Sequence, residues 1–414
     1  MSKMRWGSAS SLLCLAICFW WLGLMNGVVV PAHAEEKSAV VQTAAESTAV
    51  NRSAVGCLLP LSGRFSEMGH KALDAFLLSS EVFKRGGQVP WKLAVADTGN
   101  SAERVREAVA YLADQARVMA IIAAVGTAEA VEAAREAEKR KVPLILIASR
   151  EGVTQGYEYV FQHFLTPRQQ MQALARYALD RLNVAIFSIL YPQDEYGEEM
   201  ARLFRQEIQK VGGKISKSVS YSKTQTDFTE QIEKLSGQKA MTPRRMYATP
   251  GEARKKSFVD FEALFIPDSP LRLKMIASQL AFHDMKGIVL LGTSLWNTPD
   301  LMKKGSEYLE DAVFVDSFWP NGLLPETNDF VDIYYSAYRR EPENIEALCY
   351  DTMEIVLGVL EDERVKTRED FKKTLLALDR YNGATGSTFF RGNPVAHKSA
   401  FILKIQNGKL MQVR

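Results

Sequence analysis

Small polar residues and glycines recur in this sequence directly after short apolar runs. Gly126-Thr127 follows Ala120–Val125, Ala148-Ser149 follows Pro143–Ile147, Ser62-Gly63 follows Val55–Pro60, and Gly292-Thr293-Ser294 follows Gly287–Leu291. Residues of these types bind rather than react. A hydroxyl and the free N–H groups of a helix start hold a small polar ligand, and a carboxylate there gains roughly 0.3 to 2 kcal/mol from the helix end. Gly126, Thr127, Ala128, Ala148 and Ser149 are the first candidates; Thr127 serves equally as a plain helix cap.

Groupings that would carry catalysis are missing from the sequence. It contains no His-Glu-x-x-His, no Cys-x-x-Cys and no Gly-x-x-x-x-Gly-Lys-Ser/Thr phosphate loop. Gly292-Thr293-Ser294 begins like a nucleophile elbow but continues Leu295-Trp296, without the closing glycine that the strained turn needs. His70, His163, His283 and His397 are scattered, none with a second ligand at metal spacing. No enzymatic activity, metal or cofactor is expected.

The elements that position the candidates alternate. Ala120–Val125 reads as a strand buried on both faces, the following helix has Ala130, Val131, Ala134 and Ala137 along one side, and Pro143–Ile147 is the next strand. Before this unit come a strand at Val55–Pro60, a helix over 66–83, and a strand over 91–96. Asn100 with Glu103 is a capping-box spacing for the helix striped by Val105, Val109 and Leu112. Thr166-Pro167 starts a second βα series through strands at 184–190, 215–221, 263–266, 287–291 and 312–318. In it, Asp268-Ser269-Pro270 opens a helix to His283, and Thr298-Pro299 opens a short one. Helices at 328–339, 345–360 and 368–378 precede a C-terminal hairpin that turns at Asn407-Gly408. In such series ligands lie beyond the carboxyl ends of the strands.

Composition narrows the classes further. Lys3 and Arg5, an uncharged apolar run over 8–30 and Pro31-Ala-His-Ala34 have the order of a signal peptide cleaved after Ala34, implying a periplasmic location. The run is also long enough for an uncleaved anchor. Residues 35–53 read as a flexible spacer, and 236–257, with Arg244, Arg245, Arg254, Lys255 and Lys256, as a polar insertion. Cleavage removes two of the 51 basic residues and leaves them equal to the 49 acidic ones, so no footprint for nucleic acid remains. Cys57 and Cys349 are expected to be buried thiols.

Val55-Gly-Cys-Leu-Leu-Pro-Leu-Ser-Gly63, Val95-Ala-Asp-Thr98, Ala123-Ala-Val-Gly-Thr127, Val142-Pro-Leu-Ile-Leu-Ile-Ala-Ser149 and Asp194-Glu-Tyr-Gly197, in this order and spacing, resemble the leucine/isoleucine/valine-type class I periplasmic binding proteins. The resemblance runs from about Val55 to the C-terminus. It implies an α/β fold of two Rossmann-like, doubly wound lobes joined by three crossovers and closing by hinge motion. Carried over, lobe 1 is 54–165 plus 319–381, and lobe 2 is 166–318 plus 382–414. The implied partners are a small ligand and the permease of an ABC transporter.

In the amino-acid-binding members, backbone amides and small hydroxyl residues of lobe 1 hold the ligand carboxylate, which here places Gly126, Thr127, Ala148 and Ser149. Tyr196 is the aromatic residue closing from lobe 2. The acid for the ligand ammonium should follow Leu291, where this chain has Ser294. A desolvated ammonium without a partner costs about 3 to 5 kcal/mol, so free α-amino acids need the charge of Asp268 or Glu195. Ser62, Trp296 and Trp319 lie beside strand ends, as ligand contacts or as hinge packing. A second resemblance is to the binding-protein-like domain of penicillin-binding-protein activators, carried by Phe261–Pro270, the polar insertion and Ser399–Val413. It implies contact with a membrane peptidoglycan synthase.

Overall fold

The computed structural model describes residues 49–80, 91–237 and 259–413. The signal segment 1–34, all but the end of the 35–53 spacer, and all of the 236–257 insertion except Ser236 and Gly237 lie outside the described residues. Among the described residues no helix is long and apolar enough to cross a membrane.

The described residues from Val50 onward form one compact unit built on two large sheets and a small third one. β1 (Asn51–Leu59), β2 (Lys92–Asp97), β3 (Val118–Ala124), β4 (Leu144–Ile147) and β5 (Val160–Gln162) pair in parallel in the order β2-β1-β3-β4-β5. β6 (Ile186–Pro192), β7 (Lys214–Tyr221), β8 (Ala263–Phe265), β9 (Val289–Gly292) and β10 (Val313–Asp316) repeat that order as β7-β6-β8-β9-β10. Both lobes therefore reverse their winding beside the first strand, the place where doubly wound sheets open a crevice.

Why the runs are apolar on both sides follows from the helices. One face of the first sheet is covered by α1 (Ser66–Ser79), the other by α2 (Ala102–Ala110) and α3 (Thr127–Lys139), so every residue of β3 is buried. In the second lobe α4 (Pro167–Asp180) and α5 (Glu195–Lys210) cover one face, and α6 (Thr229–Ser236) and α7 (Pro270–Phe282) the other. Phe187, Phe204 and Phe265 interlock there, the last two stacked with centroids 4.2 Å apart. Burying each such ring contributes roughly 1.5 to 3 kcal/mol.

The chain passes from one sheet to the other at 163–166 and at 317–324. After the second passage α8 (Pro325–Tyr338) packs through Phe330 and Tyr334 against Phe318, while α9 (Asn344–Glu361) and α10 (Arg368–Leu376) return to the α1 face of the first sheet. β11 (Tyr381–Gly383), β12 (Gly386–Phe389) and β13 (His397–Lys398) form a small antiparallel sheet on the third passage. β14 (Phe401–Gln406) and β15 (Lys409–Val413) then extend the second sheet antiparallel to β10, turning at Asn407 and Gly408, both at positive φ. The expected C-terminal hairpin is thus present.

Several local expectations change. β1 begins at Asn51, inside the expected spacer. Asn100 is not the helix cap: it sits at φ 56° and its Nδ2 donates to the Ser62 carbonyl, and Ser101 caps α2 instead. Thr298-Pro299 opens no α-helix. Successive i to i+3 bonds, Leu301 N to Thr298 O and Lys303 N to Asp300 O, make turns that lead through Gly305, φ 95°, into a 3-10 turn at Ser306–Tyr308.

Candidate functional site

The C-terminal ends of the central strands gather the lobe 1 candidates. β3 pairs with β4 up to Ala124 opposite Ile147, which brings Gly126-Thr127 and Ala148-Ser149 to adjacent strand ends. Thr127 and Ser149 are exposed, Gly126 is half-buried and Ala148 is buried. Gly126, not Thr127, is the N-cap of α3, and its N–H donates to Glu129 Oε2 at 3.1 Å. The Ala148 carbonyl accepts from Gln162 Nε2 at 2.6 Å, which fixes the end of β4 to β5. Ser62 stands at the end of β1, but its hydroxyl donates to Asp97 Oδ2 at 2.6 Å. Asp97 also accepts from the N–H groups of Leu61, Ser62 and Gly99, and these bonds hold its carboxyl below the usual range against the opposing effect of burial.

Lobe 2 assembles its half in the same way. Tyr196, on the first turn of α5, reaches from the end of β6 past β8 to the end of β9, where its hydroxyl donates to Thr293 Oγ1 at 2.8 Å. Burial pushes that phenol up to about 12. Ser294 is half-buried, its N–H directed at Gln170 Oε1 at 3.4 Å. Asp268 is half-buried and accepts from the Tyr221 hydroxyl at 2.5 Å and from Ser269 N at 2.6 Å.

Trp296 is the correction. Rather than facing the crevice it is 0% exposed in the lobe 2 core, 5.9 Å from Phe314 between centroids. Gly292 makes the room, since a Cβ there would collide with the indole. Trp319 packs between the lobe 2 core and the Phe318–Phe330 cluster, a hinge position.

Three features went unread in the sequence. Glu129, 7% exposed, holds the Gly126 amide while its Oε1 has no hydrogen-bond partner; its place three residues after a capping glycine was the available signal. Asp316, wholly buried at the end of β10, accepts from Asn297 Nδ2 at 2.7 Å, Asn344 Nδ2 at 2.6 Å and Ser317 N at 2.6 Å. Burial pushes its carboxyl up to about 7, and Asn344, at the start of α9, ties it across the second passage.

The third is a polar node in the hinge. Lys398 on β13 donates from Nζ to His163 Nε2 at 3.0 Å, Thr385 Oγ1 at 2.8 Å and Thr388 Oγ1 at 3.0 Å. Asp351 of α9 accepts from the Thr385 hydroxyl and from Ala384 N at 2.9 Å and Thr385 N at 2.8 Å. The first and third passages and α9 are thereby joined by one buried network.

Two shallow hollows, of about 350 and 190 Å³, lie beside β2 and α2 and between Tyr157 and Lys372; neither is lined by any of the candidates. Among the described residues no group of three His, Cys, Asp or Glu could hold a metal ion. Each lobe thus gathers hydrogen-bonding groups at the ends of its central strands.

Solved structures share this architecture. The leucine binding protein of Thermotoga maritima superposes with a TM-score of 0.62 at 22% identity, over 87% of this chain and 97% of its own. The branched-chain amino acid transporter substrate binding protein of Streptococcus pneumoniae, in complex with isoleucine, gives 0.63 at 21%, over 87% and 99%. A solute binding protein of an ABC transporter from Rhodopseudomonas palustris, in complex with benzoate, gives 0.60 at 15%, over 87% and 95%. No curated protein matches the sequence. Residues 54–409 match the periplasmic binding protein family, and with two lobes of identical strand order joined by three passages the chain belongs to it, in its class I form.

Proposed function

We propose that this protein is an extracytoplasmic receptor that captures a polar ligand of amino-acid size between its lobes and delivers it to the permease of an ABC transporter. The reading is supported by the same placement of polar residues at the strand ends of both lobes. Gly126, Thr127 and Ser149 end the central strands of one sheet, and Tyr196, Asp268 and Ser294 those of the other, with a hinge of three passages beside them. The alternative, regulation of a membrane peptidoglycan synthase by contact, rests on the likeness of Phe261–Pro270, the 236–257 insertion and Ser399–Val413, and of the insertion only Ser236 and Gly237 are described.

Ligand capture has a direct test. A panel of amino acids, amides, short peptides and muropeptides is screened by thermal shift, and hits by small-angle scattering. At 100-fold excess over its dissociation constant a ligand stabilises by about 2.7 kcal/mol, and closure reduces the radius of gyration. A panel that moves neither quantity, with recovery of a peptidoglycan synthase from membranes, would overturn the receptor reading.

A further inference from the structure

Asp316 holds three parts of the molecule at once. Its Oδ1 accepts from Asn344 Nδ2 and from Ser317 N, both at 2.6 Å, and its Oδ2 from Asn297 Nδ2 at 2.7 Å. Asn344 is the first residue of α9, which packs on the first sheet, and Ser317 begins the second passage. Asn297 ends the turn Ser294–Trp296, which carries the candidate ligand residue Ser294. One carboxylate, 4% exposed, thus links the lobe 1 side of the hinge to a strand end of lobe 2.

Each of these three partners is a donor. The second N–H of Asn297 Nδ2 goes to the Phe318 carbonyl at 3.0 Å, and that of Asn344 Nδ2 to Ser317 Oγ at 2.8 Å, so both amides turn their NH₂ groups to Asp316. The arrangement suits an ionised carboxylate, which only accepts. A protonated one meets no acceptor, so an amide is displaced, or Asn344 turns over onto the new hydroxyl and Ser317. Either way the bonds lose their charge, and charge-assisted bonds are about twice as strong as neutral ones. Burial opposes ionisation and pushes this carboxyl up to about 7, so both forms are reached near neutrality.

Titratable groups on the elements packed around it are engaged elsewhere. Burial keeps Tyr196 on α5 protonated, Arg168 on α4 pairs with Glu207 at 3.1 Å, and Lys404 on β14 with Asp311 at 2.7 Å. Glu343, beside Asn344, pairs with Lys71 at 2.8 Å, and Glu346 in the first turn of α9 with Arg340.

We propose that Asp316 is a proton-sensitive latch of the hinge: as a carboxylate it holds the start of α9 and the Ser294 turn against the root of the second passage, and on protonation it loosens both and lets the lobes move apart. Its bearing on ligand capture rests on the receptor reading above.

The test uses ligand-free protein, so it stands apart from the ligand screen. Hydrogen exchange, corrected for the intrinsic effect of pH, and small-angle scattering are measured at pH 5 and pH 8. The amides of Trp296, Asn297, Ser317 and Ala347 are all hydrogen-bonded in this structure. They should exchange about fivefold faster or more at pH 5, and the radius of gyration should be larger there. Asp316→Asn cannot ionise and should give the same rates and the same radius at both pH values. Should it fold poorly, Asn344→Ala removes the tie alone, and Ala347 should then exchange fast at both. No pH effect in the wild type, an effect that survives in either variant, or faster local exchange at a fixed radius overturns the latch and leaves the receptor reading standing. A ligand panel that fails leaves the latch standing as a property of the hinge.

Discussion

The Lys398 ammonium donates directly to a histidine, with His163 Nε2 3.0 Å from Nζ. The contact fixes the tautomer: Nε2 supplies the lone pair, so the ring proton is on Nδ1 and donates to Thr352 Oγ1 at 2.8 Å. Burial and the adjacent ammonium hold His163 well below its usual pKa, and burial lowers Lys398 to about 8.

The sign for Lys398 follows from its lowered value. Between about 8 and the ordinary 10.5 the unfolded chain binds a proton that the folded protein does not, so this group's contribution to stability rises with pH across that window. Denaturant titrations of wild type and Lys398→Met at pH 7 and pH 10 should show the wild type gaining on the variant by up to about 3 kcal/mol. A difference independent of pH would contradict a desolvated ammonium in the hinge.

Asp316 titrates with the opposite sense. Its folded value of about 7 exceeds the ordinary 3.8, so its contribution is complete below 3.8 and is lost as pH rises through 7. Relative to wild type, Asp316→Asn should gain up to about 4 kcal/mol between pH 4 and pH 8. The slope is diagnostic because any mismatch of the Asn amide with Asn297 and Asn344 is the same at both pH values.

Gly292→Ala should destabilise by roughly 1 to 3 kcal/mol, because the new methyl enters the space of the Trp296 indole. Thermal unfolding with tryptophan emission checks this. A neutral substitution would mean that Trp296 lies outside the core.

Tyr196→Phe removes one hydrogen bond to Thr293 and leaves a buried hydroxyl without that partner, a loss of about 1 to 3 kcal/mol. The ring stays, so affinity for a captured ligand should fall less in Tyr196→Phe than in Tyr196→Ala. Titration of both variants with the tightest ligand of the panel measures the difference.

The parallel lobes and their crevice were legible because a strand buried on both faces leaves a continuous apolar run, as in Val118–Ala124, and its polar residues collect at the end. Caps were legible where proline fixed the first turn, as at Thr166-Pro167, whose hydroxyl accepts from Gln169 N. Long-range pairing left no such trace. His163 and Lys398 are 235 residues apart, and nothing local to either announces a shared network. Trp296 misled because an aromatic after a strand end suits a ligand platform as well as a core. The choice between them was made by Gly292, through a missing methyl rather than a visible pattern.

Cys57 on β1 and Cys349 on α9 both lie wholly buried in the same lobe 1 core, with thiols pushed upward by burial, Cys57 to about 12. As protonated, enclosed thiols they resist oxidation and alkylation while the lobe stays folded. Lobe 2 contributes no cysteine among its described residues. The pair is therefore a built-in clock for one half of the molecule: the rate at which a maleimide labels it reads the opening of lobe 1 alone, so a ligand that only swings the hinge and one that tightens the lobe itself leave different labelling rates.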